Sequence, residues 1–125
     1  MVTSNPHLPI ALTMGDPAGI GPEIILKAFA NQPAQMQGCC VLGNWAVMQQ
    51  HRKMLAEHLP AHIQCVEVFA LNDVLRLQAG QIPVWNTTPD APITLGAATA
   101  AGGKMAGDAV RSAAREALEG RARAV

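Results

Sequence analysis

The chain has 125 residues, half of them apolar, and a formal net charge of zero. That length holds at most one domain, and the apolar half is enough for a sizeable core. The charge balance excludes the electrostatic footprint of a nucleic-acid or anionic-membrane binder.

In chain order, Met1–His7 lacks the basic and apolar regions of a secretory signal. Ile10 to Met14 reads as a short buried strand. Residues 14–23, MGDPAGIGPE, follow it with three glycines and two prolines in ten positions. The run from Pro22 to Gln32 then reads as a helix, with Pro22 suited to its first position and Pro33 blocking continuation. Ile25, Ala28, Phe29 and Gln32 fall at helical spacing.

Gly38 to Gly43 is a second apolar strand, and Asn44 is placed to cap a helix running to about His58. Val47, Met48, Leu55 and Met54 supply its apolar stripe. Pro60 ends it. Ile63 to Phe69 alternates and reads as a third strand, with Ile63, Cys65 or Val66, and Val68 inward. Asp73 to Leu77 reads as a short helix. Ile82 to Trp85 reads as a short edge strand, because Pro83 cannot donate to a ladder. Residues 86–92 form a loop.

From about Ala97 to Leu118 the pattern is helical, with Ala106, Val110, Ala113, Ala114, Ala117 and Leu118 on one face. Gly102, Gly103 and Gly107 weaken such a helix by ~1 kcal/mol each relative to alanine, and mark close packing. Gly120 fits the position just past its end. Arg111, Arg115, Arg121 and Arg123 are interrupted by Glu116 and Glu119, the pattern of a solvated face. Ala124-Val125 reads as the first residues of a further strand.

No apolar run approaches the ~20 residues of a membrane helix. The expectation is a cytoplasmic protein. Cys39, Cys40 and Cys65 form no disulfide framework and read as buried small residues.

A strand, a glycine-rich turn and a helix N-terminus together make a place for an anion. Glycine permits close backbone approach and positive φ, and the first helical amides carry partial positive charge. The spacing of Gly15, Gly19 and Gly21 matches neither the dinucleotide fingerprint nor the P-loop. The candidate cleft loop comprises Gly15, Asp16, Gly19, Ile20, Gly21 and Glu23. Its glycines serve either a ligand or chain geometry alone. Asp16, before Pro17, forms an Asx-turn or orients a bound polyol or ribose. Glu23 complements the helix dipole or does the same. His58 and His62 are four apart but separated by Pro60, and His51 has no partner at ligand spacing, so no metal site is read in this chain.

Leu12 to Phe29, LTMGDPAGIGPEIILKAF, closely resembles the opening of the 4-hydroxythreonine-4-phosphate dehydrogenase family. Val41-Leu42-Gly43-Asn44 is similar to that family's second strand and turn. Thr94-Leu95-Gly96-Ala97-Ala98 and the alanine-rich helix after it are similar to the segment before its central strand. The resemblance implies a three-layer α/β fold related to isocitrate and isopropylmalate dehydrogenases, incomplete in this chain. Residues 1–125 then match the amino-terminal part of such a dehydrogenase and stop before its metal- and substrate-binding region.

The resemblance also implies oxidation of a secondary alcohol by NAD (or NADP) and loss of carbon dioxide, in pyridoxal phosphate biosynthesis. It implies a divalent metal such as Zn, Mg or Co, a small phosphorylated hydroxy acid as substrate, and a homodimer. The family's three metal-binding histidines, its His-Thr pair and its phosphate-contacting Lys, Asn and Arg match positions beyond Val125. His7, His51, His58 and His62 do not match them, so no catalytic or metal residue is assigned here, and the isolated chain is expected to be inactive. Relatives within the family act on threonate or erythronate phosphates or on dihydrodiol carboxylates. A non-catalytic nucleotide- or anion-binding module is the alternative of a different class.

Overall fold

The computed structural model describes residues 7–125. Four strands, β1 (Ile10–Thr13), β2 (Cys39–Gly43), β3 (Gln64–Val68) and β4 (Gln81–Asn86), form one sheet in the order β1-β2-β4-β3. Every pairing is parallel, with Ile10 beside Cys39, Val41 beside Val84 and Cys65 beside Ile82. Outside β1 a further parallel bridge joins Ile10 to Ala124. The strand expected at Ala124-Val125 therefore begins where a fifth strand would lie.

Four helices surround the sheet: α1 (Gly21–Asn31), α2 (Pro33–Met36), α3 (Trp45–Met54) and α4 (Ala100–Leu118). Two 3-10 turns, Ala56–His58 and Leu71–Arg76, complete the elements. Steps from β1 to β2 and from β2 to β3 run one way across the sheet. The steps from β3 to β4 and from β4 towards Ala124 run back. Right-handed crossovers then place α1 and α3 on one face, and the 71–76 turn and α4 on the other.

The alternation of β2 feeds both layers. Cys39 and Val41 join Ile25, Leu26, Phe29, Val47 and Met48 on the α1/α3 side. Cys40 and Leu42 join Leu71, Val74, Ala109, Ala113 and Ala117 on the α4 side. Buried on both faces, β2 reads as an unbroken apolar run, as parallel strands do. This is the expected α/β, three-layer arrangement.

Several expectations need correction. β4 is interior, not an edge strand. Gln64 donates to the Gly80 carbonyl on the β3 side and Thr87 to Gly43 on the β2 side. Parallel alternation therefore points the amide position of Pro83 towards β2. Pairing with β2 begins only at Val84, so the missing N–H breaks no ladder bond.

Pro33 ends α1 yet starts the four-residue α2. In α1 the buried stripe is Pro22, Ile25, Leu26 and Phe29, and Gln32 is exposed. α3 stops at Met54, which is half exposed, and the chain reaches His58 through a 3-10 turn. α4 buries Gly102, Met105, Ala109, Ala113, Glu116 and Ala117, while Val110 and Leu118 face outward. Of its glycines only Gly102 is tightly packed. A Cβ on Gly103 would meet nothing within 4 Å, and one on Gly107 only the Arg111 guanidinium.

Candidate functional site

The glycine-rich loop leaves the carboxyl end of β1 and enters α1. Met14 N still donates to Leu42 O at 3.0 Å, continuing the ladder by one residue. Gly15 then turns the chain with φ +78, the one positive φ in the loop. Asp16 does form the Asx-type contact, its Oδ1 accepting from Ala18 N at 2.9 Å. Gly19 N closes the turn on Asp16 O at 3.0 Å.

Two further bonds pin the loop from outside. Ala18 O accepts from Gly96 N at 2.9 Å, and Pro17 O lies 2.9 Å from His51 Nε2. Pro17 and Ala18 are buried, while Asp16 and Ile20 are exposed.

The three glycines differ in role. Gly21 is pressed against the backbone: a Cβ there would lie 2.2 Å from Met14 O. Its close approach is to its own chain. Gly19 has neither positive φ nor a severe clash, its nearest atom being Asp16 O at 3.4 Å. Gly19 and Gly21 therefore do not share one role. Positive φ falls on Gly15, and close approach on Gly21.

Helix α1 begins with Ile20 as its N-cap, and no side chain caps its first amides. Pro22 removes one of them. Glu23 sits in the first turn, 3.8 Å from Lys27 as an exposed i,i+4 pair worth little by itself. The loop thus offers backbone amides and a dipole to an anion, and no group placed as a general base. Two cavities, of about 340 and 370 Å³, lie elsewhere. The first is at the amino ends of β2 and β4 and includes Phe29, Cys39 and Pro83. The second lies between the 71–76 turn and the end of α4. Neither touches the loop.

Beside it stand the exits of β2 and β4, from which connections leave to opposite faces. Such a switch point is where open α/β sheets hold ligands. Asn44, fully buried, caps α3 through Val47 N at 3.0 Å and donates to Asp90 Oδ1 at 2.6 Å. Asn86 Oδ1 accepts from Trp45 N at 2.6 Å, and its Nδ2 donates to Glu67 at 2.9 Å. Hydrogen bonds from Lys104, Thr88 and Arg111 hold the Asp108 carboxyl down at about 2, tying the loop after β4 to α4. His51 and Asn86 escape sequence reasoning because their partners are 34 and 41 residues away. Asn44 is legible as a cap.

Among the described residues no three His, Cys, Asp or Glu side chains are grouped to hold a metal ion. The residues present therefore do not fit the divalent metal implied by the resemblance. The three cysteines are buried and unpaired. Burial pushes the thiols up, Cys40 to about 12 and Cys65 to about 11.

No protein-family model matches the chain. A 4-hydroxythreonine-4-phosphate dehydrogenase of Geobacter metallireducens is 31% identical over 121 residues, 93% of this chain and 34% of that one. The solved structure of such an enzyme from Klebsiella pneumoniae superposes with a TM-score of 0.72 at 28% identity, over 96% of this chain and 36% of its own. The chain is a relative of the 4-hydroxythreonine-4-phosphate dehydrogenases.

A Synechococcus 4-hydroxythreonine-4-phosphate dehydrogenase is 39% identical over 85 residues, 63% of this chain and 24% of its own. A D-threonate 4-phosphate dehydrogenase of Pectobacterium atrosepticum is 49% identical over 47 residues, 38% of this chain and 14% of its own. The chain spans between about a quarter and a third of the 4-hydroxythreonine-4-phosphate dehydrogenases named here. No described helix is long and apolar enough to cross a membrane.

Proposed function

We propose that these residues form the part of an NAD-dependent dehydrogenase that carries its glycine loop. The enzyme oxidises and decarboxylates 4-hydroxythreonine 4-phosphate, or a similar phosphorylated hydroxy acid, in pyridoxal phosphate biosynthesis. Likeness to dehydrogenases across 93% of the chain in sequence, matched by the backbone superposition, carries this reading. NAD, or NADP, when bound supplies the hydride acceptor for the substrate's secondary alcohol. Gly15, Asp16, Gly19, Ile20, Gly21 and Glu23 border its cleft: the uncapped α1 amides face an anionic group, and Gly15 aims the loop. The divalent metal, on this reading, is held outside these 125 residues, and the active enzyme is a cytoplasmic homodimer.

The test is a chimaera in which this chain replaces its counterpart in the Klebsiella pneumoniae enzyme. With a divalent metal and 4-hydroxythreonine 4-phosphate it is expected to reduce NAD. A folded chimaera that binds NAD yet turns over no phosphorylated hydroxy acid would overturn the reading and favour a non-catalytic nucleotide-binding module. Threonate 4-phosphate belongs in the same screen, because of the 49% identity to the D-threonate 4-phosphate enzyme.

A further inference from the structure

We propose that His51 is a positioning residue for the glycine-rich loop, holding it in ligand-ready form through an Nε2–H donated to the Pro17 carbonyl. The inference rests on the cleft reading of that loop. The ring is buried, 5% exposed, on the face of α3 that also buries Val47 and Met48. Its Nε2 stands 2.9 Å from Pro17 O, 34 residues away in sequence. A carbonyl only accepts, so the ring nitrogen that faces it carries the proton.

Pro17 has no N–H of its own, and its carbonyl is the loop's tie to the α3 layer. The other tie, Gly96 N to Ala18 O, comes from the segment between β4 and α4. Two consecutive carbonyls are thus clamped by two different elements, α3 and the segment between β4 and α4. Between them they fix the peptide planes that precede Gly19, Ile20 and Gly21, the entry to α1. A purely apolar residue at position 51 would fill the space and leave the Pro17 carbonyl buried without a partner.

The experiment compares the native chain with His51→Phe and His51→Gln. Phenylalanine keeps volume without a donor, and glutamine restores one near the Nε2 position. Nitrogen NMR of the native chain should find the proton on Nε2. In His51→Phe the amides of Gly19 to Gly21 should exchange faster, and the chimaera carrying the substitution should bind NAD on the order of tenfold more weakly, as for one lost hydrogen bond. His51→Gln should recover both.

A proton on Nδ1 alone overturns the proposal, as does a Phe variant with native loop exchange, or a Gln variant as impaired as Phe. Should the Phe variant fail to fold, the tautomer and the Gln variant decide. A chimaera with native His51 that shows no NAD binding, with loop exchange still governed by residue 51, refutes the cleft reading and leaves the positioning role standing.

Discussion

Gly21 is the residue in the loop least open to change. The atom in its way is the Met14 carbonyl oxygen, which would lie 2.2 Å from a Cβ at this position, and backbone cannot step aside. Gly21→Ala is expected to cost about 3 kcal/mol, the upper end for overpacking. Gly15→Ala should cost about 1–2 kcal/mol, from its φ of +78 alone, with nothing within 4 Å of the new methyl. Gly19→Ala should be close to neutral. Urea denaturation of the three variants gives the order directly, and equal losses at Gly19 and Gly21 would refute the packing account. Since Gly21 serves Met14, its replacement should lower stability first, with any change in NAD affinity following from a displaced helix start.

At the scale of elements, the caps decide where helices begin. Asn44 caps α3 and also holds Asp90, so Asn44→Ala removes two bonds from a fully buried position. The expected loss is about 2–3 kcal/mol, a cap plus a hydrogen bond whose partner is left behind. Thr99, exposed, caps α4 through Gly102 N, so Thr99→Ala should cost about 1 kcal/mol. Denaturant midpoints that ranked the two the other way would remove the switch-point role given to Asn44. The far end of α4 closes with Gly120 at φ +77, Gly120 N on Ala117 O and Arg121 N on Glu116 O. Those bonds, with the Glu116–Arg121 ion pair, aim the chain at the edge of β1.

At the scale of the molecule, the layers enclose the thiols and set a pH limit. In the unfolded chain the cysteines ionise near their ordinary value, whereas burial holds Cys40 up to about 12 and Cys65 to about 11. Above pH ~9 the unfolded state sheds protons that the native state keeps, so stability is full below that pH and falls towards pH 11–12. Native chain should resist alkylation at pH 8 and react once unfolded; rapid native labelling would contradict the burial. The outer edge of β1 is joined by Ala11 N to Ala124 O and Arg123 N to Pro9 O, a single bridge. The isolated chain is therefore expected to melt broadly and to show no dehydrogenase activity, with no metal cluster among its described residues. A sharp monomeric melt or NAD reduction by the chain alone would count against this.

Local rules carry far in this chain. Apolar runs bounded by glycine, proline at a helix start, Asn44 before α3 and Gly120 after α4 are legible because each acts on its own neighbours. The string from Gly15 to Glu23 marks the candidate loop for the same reason. What only the tertiary structure decided depends on partners distant in sequence. Pro83 reads as an edge residue until its register shows the β2 ladder starting one residue later. The inward face of α4 turns on where β1 and β2 lie beneath it, which no periodicity of alanines specifies. Gly21 and Gly19 look alike in sequence, and only the Met14 carbonyl separates them. His51 shows no motif, because its partner is a backbone carbonyl, a group every residue carries and no sequence pattern displays.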